Sequence, residues 1–295
     1  MKSLTLPAYA KINLTMDVLG RRADGYHSVE TIMQAVSLCD TVTVGVEDGE
    51  GVFCGLAPGM PDTPAFPKDG ENTAGKAAAA YLRFYGISGK KVSVTIEKLI
   101  PSQAGLGGGS SDAAAVLTAL DKLFEKETPK AELERLGAQI GADVPFFIRG
   151  GLQLCCGIGE QLTVLPELPR MTAVIVKPKF GNSTARIFAE LDKKSGLSRP
   201  DTGRALSAIR SGDTDELCKC VFNIFDGALP AGQAKTVLRI RELMFSGDAQ
   251  ASALTGTGSC VFGLFYNEEA AKCARDKAEG EGFCAYLCST IGYRE

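Results

Sequence analysis

From residue 8 to residue 19 apolar and polar positions alternate: Ala8, Ala10, Ile12, Leu14, Met16 and Val18 on one side, Tyr9, Lys11, Asn13, Thr15 and Asp17 on the other. Period two predicts a half-buried strand, with Lys11 and its neighbours on the water side. A glycine-bearing turn at Gly20–Gly25 follows, then a mixed apolar stretch from Val29 to Leu38 and a second alternation from Thr41 to Val46. The segment Gly49–Gly70 is dense in Gly, Pro and Asp and reads as an extended loop or hairpin insertion. Asn72–Tyr85, breaker-free and carrying Ala77, Ala78, Tyr81 and Phe84, predicts a helix, and Val92, Val94 and Ile96 alternate as a strand. Helical spacing returns over Asp112–Phe124 and over Lys130–Ile140, the latter ending before Gly141. After Pro166-Glu167-Leu168-Pro169 the pattern resets with a strand at Thr172–Val176, helices, and a late strand at Cys260–Phe265. Helices and strands mix without a repeat, so the class is α+β with a boundary between residues 150 and 170.

The 295 residues exceed the usual span of about 100–200 for one domain, so two domains or one bilobal unit is expected. With 45% hydrophobic and 23% charged residues the chain has the balance of a globular protein. A formal charge of −3, from 32 basic against 35 acidic residues, supplies no basic field of the sort nucleic-acid binding needs. The start, Met1 to Pro7, lacks the apolar core of a signal peptide, and no run approaches the roughly 18 apolar residues of a membrane span. A cytosolic location without membrane partners is expected. Ten cysteines are scattered, often inside apolar runs, which fits free buried thiols; Cys218/Cys220 and Cys284/Cys288 lack zinc spacing, there is a single histidine, and no protein metal site is assigned.

The chemistry concentrates in Pro101-Ser102-Gln103-Ala104-Gly105-Leu106-Gly107-Gly108-Gly109-Ser110-Ser111-Asp112, between a strand ending near Ile100 and a helix starting near Asp112. Four glycines let backbone N–H groups converge on an anion, and a helix N-terminus adds its positive end, so a triphosphate is the natural ligand. A side chain at Gly107 would put its Cβ where the backbone approaches phosphate. No Gly-Lys-Ser/Thr closes the loop as in a Walker A motif, and Ser110 stands where the dinucleotide fingerprint needs glycine. The same residues also suit a tight turn capped by Ser110, Ser111 or Asp112. Taken alone, Asp143, two residues before Pro145, reads as a helix cap, Lys11 as a solvated strand residue, His27 as a structural histidine, Thr184 as a cap, and Leu254-Thr255-Gly256-Thr257-Gly258 as a hairpin bend.

Pro-x-x-x-Gly-Leu-Gly-Gly-Gly-Ser-Ser-Asp-Ala-Ala resembles the phosphate loop of the galactokinase, homoserine kinase, mevalonate kinase and phosphomevalonate kinase (GHMP) superfamily. Pro7–Leu14 with Arg21–His27, Gly141–Phe147 and Leu254–Phe262 resemble one branch of it, in order along the chain. That branch phosphorylates an alcohol of a cytidine-diphosphate-linked polyol during isoprenoid precursor synthesis. The resemblance implies a two-lobed fold, with a ribosomal-S5-like N-terminal domain over 1–160 and a C-terminal α/β-sandwich domain over 161–295, and a small-molecule site in the cleft. It also implies ATP with Mg²⁺ along Pro101–Ser111 and Asn72, Asp143 as the base, and Lys11 as the second catalytic group. Asn13, Tyr26, His27, Thr184 and Gly256 fall on the substrate side, and the second glycine turn closes over the phosphates. The family usually carries Asp-Asn-Leu where this chain has Glu71-Asn72-Thr73, which bears on the nucleotide contact of Asn72. Two rivals stand beside this reading. A homoserine or mevalonate type of kinase lacks Ala-Lys-Ile-Asn-Leu with Gly-Tyr-His. A non-catalytic S5-like ligand or RNA-binding module has no need of Lys11, Asp143 and an intact loop.

Overall fold

A computed structural model describes residues 2–60 and 71–293, and the expected loop at Gly49–Gly70 lies partly outside them. The first alternating stretch belongs to a long hairpin, β1 (Lys2–Arg21) against β2 (His27–Asp48), closed by the Arg22 N–H on the Tyr26 carbonyl at 2.7 Å. The segment after Gly49 opens with a strand, β3 (Gly51–Leu56), parallel to β4 (Lys90–Glu97), which in turn pairs with β2. Between them lies α1 (Thr73–Phe84), whose cap is Asn72: its Oδ1 accepts from the Gly75 N–H at 2.7 Å. Three helices follow β4, α2 (Gly108–Leu123), α3 (Lys130–Ala138) and α4 (Val144–Arg149), then the strands β5 (Leu152–Cys156) and β6 (Gln161–Val164). Helix α2 begins four residues before Asp112, inside the glycine loop.

After β7 (Thr172–Lys177) come α5 (Thr184–Leu191), α6 (Thr202–Ser211), α7 (Thr214–Cys220), the two-residue β8 (Phe222–Asn223) and a 3-10 helix (Ile224–Ala228). The chain ends with α8 (Ala231–Ser246), β9 (Ala251–Leu254), β10 (Val261–Phe265), α9 (Glu268–Gly280) and β11 (Cys284–Ser289). Among the described residues the strands form a seven-stranded sheet, with path β3-β4-β2-β1-β8 and β5-β6 attached to β2, and a four-stranded antiparallel sheet, β11-β7-β10-β9. The fold is α+β with two sheets, and β8 brings the later half of the chain onto β1 as a parallel neighbour, Thr15 opposite Phe222 and Met16 opposite Asn223.

The β1–β2 register is irregular between Tyr9 and Ala10. Before the irregularity Ala8 packs with α1 and α2; after it Ala10, Ile12 and Leu14 pack against Ala173, Ile175, Ala253 and Phe262 of the second sheet. The other side of β1 is not solvated. Lys11, Asn13, Thr15 and Asp17 are at most 5% exposed, which overturns the water-facing reading of that face. The C-terminal residues return to the first sheet: Thr290 bridges to Val36, Tyr293 bridges to Gly150, and the Tyr293 hydroxyl sits between the Leu152 and Leu165 carbonyls. All ten cysteines are free, and Cys273 and Cys284 are exposed, a departure from uniform burial. No helix among the described residues is long and apolar enough to cross a membrane.

Candidate active site

The glycine loop is tied down at both ends by one buried cluster. Asp40 of β2 accepts from the N–H groups of Leu99 (2.6 Å) and Ile100 (2.8 Å) through Oδ1, and its Oδ2 is 2.5 Å from Lys98 Nζ. The same ammonium donates to Asp112 Oδ2 at 2.8 Å, so one cation joins the strand entering the loop to the helix leaving it. Burial pushes the Asp112 carboxyl up to about 7, with Lys98 opposing and Asp40 adding. Burial acts to lower Lys98, but the two carboxylates outweigh it and its pKa is raised. Asp112 Oδ1 and Ser111 Oγ are enclosed without hydrogen-bond partners. Thr73, where the family usually has leucine, donates from its hydroxyl to the Gly109 carbonyl at 2.7 Å, fastening α1 to the loop.

Gly105 and Gly107 adopt left-handed φ of 77° and 74°. A Cβ at Gly105 would stand 2.0 Å from the Thr255 carbonyl oxygen, and one at Gly107 would stand 2.5 Å from the Phe147 ring. The side chain that Gly107 forbids would thus collide with the protein behind the loop, not with a ligand in front of it. With its back filled, the loop turns its other side and the first turn of α2 to a cavity of about 1100 Å³.

Lys11 reaches this cavity from β1, and its N–H is held by the Leu106 carbonyl at 3.1 Å. Its ammonium is 2.5 Å from Asn13 Oδ1. Burial lowers the Lys11 pKa, and the charge of Asp143 acts in the other direction, followed by Cys155. Asp143 occupies the cap position of α4, yet its side chain makes no capping hydrogen bond, so the carboxylate is left for the cavity. Asn13 is a hub: Oδ1 also accepts from the Gly256 N–H at 2.7 Å, and Nδ2 donates to Thr31 Oγ1 at 2.8 Å. Thr255 Oγ1 lies 3.1 Å from Asn13 Oδ1 and 3.2 Å from the Gly105 carbonyl, so the second glycine turn is seated on both β1 and the loop. Behind it Asn223 donates from Nδ2 to the carbonyls of Leu254 and Gly256, each at 2.8 Å.

A further stretch of the wall is aromatic. Tyr26, 61% exposed at the hairpin tip, lines the cavity beside His27. The His27 ring packs on Phe188 with centroids 4.7 Å apart, and its Nε2 is 2.8 Å from Asp192 Oδ1. Thr184 is the first residue of α5, after the cap residue Ser183, and its hydroxyl is 3.4 Å from that of Thr257. Of the residues singled out from the sequence, Lys11, Asn13, Tyr26, His27, Asn72, Pro101 through Ser110, Asp143, Thr184 and Gly256 line this one cavity. Ser111 does not; it is buried behind it. Lys98, Phe188 and Asp192 also line it and were not singled out. The i, i+4 spacing of Phe188 and Asp192 on a helix that starts at Thr184 was the one available signal.

A family profile described as the GHMP kinases N terminal domain matches residues 72–151. A 4-diphosphocytidyl-2-C-methyl-D-erythritol kinase of Caldicellulosiruptor saccharolyticus is 39% identical over 93% of this chain and 92% of its own. One from Acetivibrio thermocellus is 38% identical over 99% of this chain and 100% of its own. Among solved structures, a 4-(cytidine 5'-diphospho)-2C-methyl-D-erythritol kinase superposes with a TM-score of 0.77 at 31% identity, covering 98% of this chain and 100% of that one. A homoserine kinase from Cytophaga hutchinsonii gives 0.78 at 18% identity, covering 100% of this chain and 96% of that one, and shows the shared fold alone. Similarity of this extent to curated kinases, over nearly the whole length of the chain and including its glycine loop, makes this protein a member of the 4-diphosphocytidyl-2-C-methyl-D-erythritol kinase family of GHMP kinases.

Proposed function

We propose that the chain transfers the γ-phosphoryl group of ATP to the 2-hydroxyl of 4-diphosphocytidyl-2-C-methyl-D-erythritol, a step of the methylerythritol phosphate route to isoprenoid precursors. The observation that carries this is the single cavity lined at once by the glycine loop, by Lys11 and Asp143, and by the Tyr26, His27 and Phe188 wall. Phosphoryl transfer is mostly positioning and charge stabilisation. The N–H groups at the start of α2 receive the triphosphate. Asp143 accepts the proton of the attacking hydroxyl. Lys11, held by Asn13, sets its positive charge against the charge developing on the transferred group. The wall made by Tyr26, His27 and Phe188 takes the cytosine, with Thr184 and Gly256 on the same substrate side.

Mg²⁺ accompanies ATP in this reading. A cation carried mainly on the phosphate oxygens would need no cage of protein carboxylates. When bound, it neutralises charge on the phosphates being separated. The test is a phosphorylation assay offering the cytidylyl substrate, free methylerythritol phosphate, homoserine and mevalonate. Turnover confined to the cytidylyl compound is the expected result. Preference for homoserine or mevalonate would move the chain to another GHMP activity, and turnover of none would remove the kinase reading.

A further inference from the structure

The bond between His27 and Asp192 fixes which of the two imidazole nitrogens is an acceptor. A carboxylate only accepts hydrogen bonds, so the nitrogen facing it, Nε2 at 2.8 Å, carries hydrogen. In the neutral ring the other nitrogen, Nδ1, then bears a lone pair, and it has no hydrogen-bond partner among the described residues. Helix α5 holds the ring from two sides: Phe188 covers one face at 4.7 Å between centroids, and Asp192, one turn later, meets its edge. His27, Phe188 and Asp192 all line the cavity. The imidazole is therefore fixed in orientation and in tautomer before any ligand arrives.

Cytosine and uracil differ at ring position 4, where cytosine carries an amino donor and uracil a carbonyl acceptor. We infer that Asp192 is the specificity-determining residue of this site: by locking His27 with a bare Nδ1 it makes the pocket read the cytosine 4-amino group and reject a uracil. This rests on the cytidylyl reading above and adds the residue that enforces it. An acceptor opposite the uracil 4-carbonyl leaves two lone pairs facing each other in a partly desolvated wall, which is the arrangement that discriminates most strongly between bases of the same shape. Asp192 does not itself touch the base in this scheme; it is a positioning residue that acts through His27. An ordinary stitch between α5 and the β1–β2 hairpin would use the same bond, but removing a stitch changes stability and leaves the ratio of the two pyrimidines alone.

That ratio is the readout. Calorimetric titration of the enzyme saturated with a non-hydrolysable ATP analogue would compare the cytidylyl substrate with its uridylyl counterpart. The wild type should favour cytidylyl by roughly tenfold or more, the worth of one hydrogen bond kept against one replaced by a repulsion. In Asp192→Asn the carboxamide either accepts from or donates to Nε2, both tautomers become available, and the ratio should fall below about threefold. Asp192→Glu keeps an acceptor-only group and should restore most of the preference. Asp192 is 39% exposed at the end of α5, so the fold should tolerate all three forms, and unchanged affinity for the ATP analogue checks this. A wild-type preference that survives undiminished in Asp192→Asn overturns the inference and leaves the proposed function standing. A wild type indifferent to the pyrimidine overturns both.

Discussion

Lys11 and Asp143 put opposite demands on the molecule. The lysine pKa is lowered chiefly by burial, so the native state holds its proton less tightly than the unfolded chain does. The sign of the linkage follows: the unfolded state binds more protons, and this residue adds stability as pH rises from the lowered native value toward the ordinary 10.5. Below that window the charged form burdens the fold, a burden that the contact proposed with the phosphoryl group would offset. Lys11→Met should therefore abolish turnover while raising the melting temperature at pH 7, measured by calorimetry beside the wild type. A lower melting temperature would mean that the Asp143 attraction and the Asn13 bond outweigh the burial. Asp143 has no capping duty, so its loss is chemically selective. Asp143→Asn should lower kcat by about 10²–10⁴ while leaving ATP-analogue affinity within a few fold, and near-normal turnover would take Asp143 out of the mechanism.

At the scale of elements, the loop and the first turn of α2 behave as one piece wedged between Phe147 behind and the cavity in front. Gly107 is left-handed and its missing Cβ would overlap Phe147, so Gly107→Ala should cost about 2–4 kcal/mol from strain plus overpacking. Phe147→Leu in the same chain should recover part of that cost, a coupling that denaturation of the two single variants and the double variant would measure. Strict additivity would show that the ring is not what the new methyl meets. The glycine run by itself suits either an anion loop or a capped turn, and only its resemblance to the GHMP motif singles out the first reading; its helix starts four residues earlier than the apolar spacing predicts. Glycine is a poor helix former, and the pattern of apolar spacing starts only with Ala113. The β1 alternation was legible as a strand and misleading about its second face, since a period of two reports that two faces exist and not what covers each. What covers the face bearing Lys11 and Asn13 comes largely from residues more than ninety positions away, among them Leu106 and Thr255. Phe188 and Asp192 escaped notice for a similar reason: their helix is amphipathic in an ordinary way, and only the folded chain sets it against His27.

Across the whole molecule the cleft is held by a few buried polar side chains that cross between the two sheets. Asn223 is the most telling of them. It sits on a strand of two residues, too short for any periodicity to reveal, and it is fully buried without lining the cavity. Its Oδ1 accepts from the Phe225 N–H at 2.9 Å, and its Nδ2 holds both the Leu254 and Gly256 carbonyls. Gly256 is thereby gripped at its carbonyl by Asn223 and at its N–H by Asn13, the same side chain that receives the Lys11 ammonium. The position of Lys11 is thus coupled to a residue outside the cavity through a chain of hydrogen bonds that all have to be satisfied together. Asn223→Ala would leave two carbonyls and one N–H without partners in a closed interior, a cost on the order of 2–4 kcal/mol. It should also loosen the turn that seats Gly256 on Asn13. The expected kinetic result is a fall in kcat larger than any rise in KM for either substrate, because the groups displaced are those proposed to act on the transferring phosphoryl. Urea denaturation and steady-state kinetics on the same preparation, at a temperature where the variant remains folded, separate the two effects. A variant destabilised by this amount yet turning over at the wild-type rate would show that the second glycine turn keeps its place without Asn223, and that Lys11 is oriented by Asn13 alone.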